Sequence, residues 1–113
     1  MAQARRLLPS MGQLAAFEAV CRTGSTLAAA TDLSLTQGAV SKLIHGLEAQ
    51  LGVRLFLREG RSLVPTEPAT TFARDVARAL DLVSRGAMRA RTAAQGGALA
   101  LAVLPGFGTR WLA

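Results

Sequence analysis

Within the nine residues from Gln37 to His45 the chain carries the groups best able to do chemistry: the amide of Gln37, the bare backbone of Gly38, the hydroxyl of Ser41, the ammonium of Lys42 and the imidazole of His45. Ser41 and His45 stand four apart, a spacing at which a helix brings a hydroxyl and a base onto one face, as nucleophilic catalysis needs. Nothing acidic is placed to orient the imidazole, no oxyanion-forming glycine loop precedes Ser41, and a flat helix face offers no pocket. An enzyme is therefore not expected, and no catalytic residue is assigned. What the set does offer is hydrogen bonding. Glutamine pairs with adenine, lysine with guanine or phosphate, and serine with either, while glycine permits close backbone approach.

The elements around these residues explain how they would be held. Thr36 is a ready N-cap for a helix over Gln37–Leu51, with Gly52 as its stop. At about 100° per residue, Val40, Ile44, Leu47 and Leu51 fall on one stripe, and Gly38, Ser41, Lys42 and His45 fall opposite it, with Gln37 at the exposed N-terminal end. Upstream, Ser10 and Gln13 form a capping box for a helix over Met11–Thr23 that carries Leu14, Phe17, Val20 and Cys21. After Gly24, Ser25 caps a helix over Thr26–Leu33 that presents Leu27, Ala30 and Leu33 on one side. Ala29 and Ala30 are small enough for another helix to cross closely, and Ser34-Leu35 makes the turn, with Leu35 in the core. Leu55–Arg58 and Arg61–Val64 read as two strands around Glu59-Gly60, with arginines at the flanks. Glu48, at the edge of the apolar stripe, is expected to make a structural bond within this hairpin. The pattern is mainly α: a winged helix-turn-helix of three helices and a β-hairpin wing.

Pro65 holds Val64 extended, Thr66 can cap, and Pro68 is tolerated in a first turn, so a fourth helix is predicted over Glu67–Thr92. Ala69, Phe72, Val76, Ala79, Val83, Gly86 and Ala90 recur three and four apart as a heptad seam, with Arg74, Asp75, Arg78, Asp81, Arg85 and Arg89 off it. Gly86 weakens that helix by roughly 1 kcal/mol relative to alanine. The seam could pack on its own domain alone, but a helix this long outruns a three-helix core, so Phe72, Val76, Ala79 and Val83 are expected to face a partner helix rather than water. Gln95-Gly96-Gly97 reads as a joint. Leu99, Leu101 and Val103 then alternate as in a strand before Pro105-Gly106, and a lone strand needs neighbours. The expected organisation is a DNA-binding unit over 1–65, a linker and dimerisation helix over 66–95, and the hinge and first strand of a truncated further domain over 96–113.

Composition narrows the partners. The formal charge is +6 over 113 residues, and Lys42 is the only basic residue that is not arginine, which favours a polyanion even if a general Arg and Ala bias contributes. Cys21 is the only cysteine, which excludes a disulfide framework and a Cys-rich zinc site, so no metal and no cofactor are expected. No long apolar core follows Arg5 and Arg6, and no apolar run reaches the length of a membrane span. The arginines are not gathered opposite bulky apolar residues as in a surface-bound amphipathic helix. A cytoplasmic protein with no membrane partner is expected.

Together these residues resemble the N-terminal part of the LysR-type transcriptional regulators of bacteria. The resemblance runs through Leu14, Phe17, Val20, Gly24-Ser25, Ala29-Ala30, Leu33, Thr36-Gln37, Ala39-Val40-Ser41, Ile44, Leu47-Glu48, Leu51-Gly52, Leu55-Phe56, Arg58 and Thr66, about half the chain at near-fixed spacing. Met11 to Ala19 and the tail LAVLPGFGTRWL look most like the subgroup of glycine-cleavage and β-lactamase regulators. The resemblance implies a winged helix-turn-helix, a long linker helix that dimerises it and a separate effector domain for a small-molecule inducer, of which only the beginning is present. It implies DNA contacts at Thr36, Gln37, Gly38, Ser41, Lys42 and Arg58, with Arg58 and Arg61 lying along the phosphates or entering a minor groove. Where the family has a Leu-Thr-x-Ala-Gly pattern, Pro65, Pro68 and Ala69 depart from it, which bears on the angle at which the linker helix leaves the wing. The expected function is sequence-specific binding of double-stranded DNA as a homodimeric transcriptional regulator. The alternative is a truncated module that forms mixed dimers with full-length relatives and interferes with them.

Overall fold

In the computed structural model, residues 8–95 are described. The first three helices take the expected bounds: α1 over Met11–Thr23, α2 over Thr26–Leu33 and α3 over Gln37–Leu51. Local bonding accounts for each start. Ser10 accepts from the Gln13 amide at 3.1 Å while its own N–H donates to Gln13 Oε1 at 2.8 Å, closing the capping box. Ser25 caps α2 by accepting from the Ala28 N–H at 3.1 Å, and Thr36 caps α3 by accepting from the Ala39 N–H at 3.0 Å. Gly24 and Gly52 end α1 and α3, donating to the carbonyls of Val20 and Glu48. Ser34 ends α2 in the left-handed region at φ 59°, and Leu35 donates back to the Ala30 carbonyl at 2.9 Å. Leu35 then packs against the core as expected.

The hairpin pairs β1, Phe56–Glu59, with β2, Ser62–Pro65, in antiparallel register Phe56↔Pro65 through Glu59↔Ser62. Both strands lie one residue later than predicted, and Arg61 belongs to the turn rather than to a strand. The cause is Gly60, whose φ of 62° suits the first position of a two-residue loop, so the loop is Gly60-Arg61. Pro65 is accommodated at the outer end of this two-stranded sheet.

The core gathers around Phe17, whose ring centroid lies 5.6 Å from that of Phe56 and 5.3 Å from that of Phe72. Small residues line the helix crossings: Ala15, Ala16 and Ala19 of α1 and Ala29 and Ala30 of α2 are buried with Val20, Leu33, Val40, Ile44 and Leu47. Leu27, expected on the inner side of α2, is instead 62% exposed. The alanines take its place because they allow α2 to approach its neighbours more closely than a leucine would.

The last helix, α4, runs over Glu67–Ala94, two residues beyond the expected end, and is about 42 Å long at ~1.5 Å per residue. Its N-terminal half packs on α1. Ala69, Val76 and Leu80 are buried there, and Phe72 lies against the same core. This corrects the expectation that Val76 faces a partner helix, since one chain already buries it, and corrects it in part for Phe72, which is half-buried with its ring centroid 5.3 Å from that of Phe17. Ala79 is exposed, Val83 is 51% exposed and Leu82, off the expected seam, is 66% exposed. The expected joint and strand over 96–113 lie outside the described residues.

Candidate nucleic-acid interface

Burial of Val40, Ile44 and Leu47 fixes which side of α3 faces outward. On that side Gln37, Gly38, Lys42 and His45 are exposed, Ser41 is half-buried, and Thr36 is exposed at the cap. A Cβ added at Gly38 would meet nothing within 4 Å, so the backbone there is open to a close neighbour. Gln37 is held: its Nε2 donates to the Thr26 hydroxyl of α2 at 2.9 Å.

The wing is tied to its helical neighbours: to α3 through Glu48, to the end of α1 through Gly24 and to the start of α4 through Thr66. The Glu48 carboxylate accepts from the Leu55 N–H at 2.8 Å, the structural role expected for it. Leu63 of β2 donates to the Gly24 carbonyl at 2.9 Å. Thr66 donates its N–H to the Leu55 carbonyl at 2.9 Å and its hydroxyl to the Arg54 carbonyl at 2.7 Å, while that hydroxyl accepts from the Ala69 N–H at 3.4 Å. One threonine thus joins the start of the wing to the start of α4, and the prolines on either side of it need supply no N–H.

Between α3 and the wing lies an open cleft of about 280 Å³ lined by Thr26, Gln37, Ser41, His45, Arg54 and Arg58 among others. The fold therefore brings four of the expected residues, Gln37, Ser41, His45 and Arg58, around one concavity. Gly38 and Lys42 share the outward face of α3, and Arg61 stands exposed in the hairpin turn. Thr26 and Arg54 also line the cleft and were not anticipated. Arg54 had a legible signal, a cation just ahead of the wing, whereas the approach of Thr26 to Gln37 depends on how α2 and α3 cross.

Charge pairing divides the surface. Arg22 bridges Glu18 at 3.0 Å and Asp32 at 2.8 Å, tying α1 to α2, and these bonds raise its pKa. Arg78 pairs with Asp75, and Arg85 pairs with Asp81. Among the described residues, Lys42, Arg54, Arg58 and Arg61 have no carboxylate partner, so the face made by α3 and the wing keeps its cationic charge available. Also among the described residues, no group of three or more His, Cys, Asp and Glu side chains is placed to hold a metal ion, and no helix is long and apolar enough to cross a membrane.

Residues 11–70 match the model of the bacterial regulatory helix-turn-helix proteins of the lysR family. The chain belongs to the LysR family. It is 35% identical over 105 residues to the glycine cleavage system transcriptional activator of Escherichia coli K12, an alignment covering 93% of this chain and 34% of that protein. It is 33% identical over 107 residues to the AhcY transcriptional activator HvrB of Rhodobacter capsulatus, covering 95% of this chain and 37% of that one. The chain thus spans about a third of the length of these curated relatives. Among solved structures, the CbnR DNA-binding domain in complex with DNA aligns at TM-score 0.65 and 38% identity, over 73% of this chain and 94% of that one. The BenM DNA-binding domain bound to benA site 1 DNA aligns at TM-score 0.67 and 28% identity, over 74% and 94%. The winged helix-turn-helix fold is the one these LysR-family DNA-binding domains have.

Proposed function

We propose that the chain is a sequence-specific reader of double-stranded DNA that works as a dimeric transcriptional regulator. The observation that carries this reading is the cleft between α3 and the wing lined by Gln37, Ser41, His45, Arg54 and Arg58, with Lys42 exposed on α3 and Arg61 exposed in the hairpin turn and these cations unpaired by carboxylates among the described residues. In this reading α3 enters the major groove, where Gln37 and Lys42 meet base edges and Ser41 and Gly38 allow close approach. Thr36 and His45 flank them, and the wing arginines lie along the adjacent backbone or minor groove. Dimerisation would use the outer half of α4, where Ala79, Leu82 and Val83 are exposed. Two copies would place their α3 helices in successive major grooves, about 34 Å apart.

The test is a gel-shift titration on a duplex enriched from a randomised DNA pool by the chain itself. Gln37→Ala and Lys42→Ala are each expected to weaken binding to that duplex by about fivefold to a hundredfold, since a good base contact is worth ~1–3 kcal/mol. Circular dichroism should show the helices intact, because both side chains are exposed. Unchanged affinity in both variants would refute the assignment of α3 as the reading element.

A further inference from the structure

We infer that Thr26 is a specificity-determining positioning residue: it fixes the Gln37 amide so that one edge of it is presented outward. The inference rests on the groove-facing role proposed above for Gln37. Thr26 is the first residue of α2, eleven positions before Gln37, and its hydroxyl accepts from Gln37 Nε2 at 2.9 Å. The helix cap does not consume that hydroxyl, because Ser25 caps α2. Thr26 is also firmly seated. Its helix is anchored by buried Ala29, Ala30 and Leu33 and is tied to α1 by the bridge from Asp32 to Arg22.

The chemistry of a primary amide makes the contact useful. Pairing with adenine needs the carbonyl oxygen and the N–H beside it, which meet N6 and N7 of the base. The second N–H of the same nitrogen is left over, and Thr26 is an acceptor for it. An exposed glutamine otherwise samples several rotamers, and ordering it on binding costs roughly 0.5–1.5 kcal/mol. A hydroxyl on the neighbouring helix removes part of that cost before DNA arrives, and it does so only for the orientation that points the paired edge away from α2. Thr26 and Gln37 border the same cleft as Arg58.

The experiment compares the full chain with Thr26→Val, Thr26→Ala, Thr26→Ser, Gln37→Ala and the Thr26→Val/Gln37→Ala double variant. Each is titrated against the duplex enriched from a randomised pool by the unmodified chain, and against a scrambled duplex of the same composition. Thermal melts confirm folding, and Thr26→Ala deletes the hydroxyl without introducing a new branch. The expected result has three parts. Thr26→Val and Thr26→Ala bind the enriched duplex about threefold to tenfold more weakly with no change on the scrambled duplex, Thr26→Ser retains full affinity, and the double variant binds no more weakly than Gln37→Ala. An equal loss on both duplexes, a loss that persists in the Gln37→Ala background, or a Thr26→Ser variant as weak as Thr26→Val overturns the positioning role. If Gln37→Ala weakens specific binding and the Thr26 variants do not, this inference alone falls. If no duplex is enriched, or Gln37→Ala binds like the unmodified chain, the reading of α3 falls and takes the inference with it.

Discussion

On α1, one turn from the ion pairs that hold α2, the thiol of Cys21 is partly buried and adjacent to Glu18. Burial, and secondarily the Glu18 carboxylate, push its pKa from the ordinary 9.0 up to about 12. At neutral pH this side chain is a thiol that packs, and not a nucleophile. A consequence for stability follows from the sign of the shift. Above pH 9 the unfolded chain loses the proton while the folded chain keeps it, so stability is fully present below pH 9 and declines as pH rises from 9 toward about 12. With no tyrosine and a single lysine in the chain, few other groups titrate in that window. Urea unfolding at pH 8 and pH 10.5 is expected to show a loss of stability at the higher pH that is smaller in Cys21→Ala. An equal loss in both proteins would contradict the assignment.

The join between α2 and α3 is a turn with an unusual residue at its centre. Ser34 adopts φ 59° between α2 and α3, a left-handed conformation that glycine takes freely and that costs another L-residue roughly 1–2 kcal/mol. A β-branched residue there clashes with its own backbone. Ser34→Val is therefore expected to destabilise the domain by about 1–3 kcal/mol more than Ser34→Gly does. Denaturant midpoints check this directly. Equal losses in the two variants would mean that a side-chain contact of Ser34, rather than its backbone geometry, matters most. The wing depends on the same kind of local decision, since Gly60 sets the loop and through it the register that leaves Arg58 opposite Leu63.

For the molecule as a whole, α4 is where a single domain meets the question of assembly. Leu80 is 1% exposed and belongs to the domain, while Leu82 at 66% and Val83 at 51% lie in water within one chain. The double variant Leu82→Asp/Val83→Asp is expected to sediment as a monomer with an unchanged melting temperature for the winged domain. Salt dependence supplies a second readout of the same proposal. If Lys42, Arg54, Arg58 and Arg61 each neutralise one phosphate, a dimer has a log–log salt slope of about −7 and the monomeric variant about half that. A slope and a sedimentation coefficient that both stay unchanged in the variant would remove this face as the dimer contact.

Much of the architecture was legible in the residues alone, for a physical reason. Helix starts and stops are short-range events, and Ser10 with Gln13, Ser25, Thr36 and Thr66 satisfy N–H groups only three or so positions away, so the bounds of α1, α2 and α3 follow from the sequence. The outward face of α3 follows from the same periodicity that buries Val40, Ile44 and Leu47. Tertiary structure alone decided the rest. Apolar spacing marks Phe72, Val76 and Val83 alike, but only the position of α1 determines that Val76 is buried within the chain, Phe72 half-buried and Val83 exposed. The meeting of Thr26 with Gln37, and of Arg54 with the cleft, depends on how closely the alanines let helices cross and on where Glu48 ties the wing. These are distances between elements, and no local rule contains them.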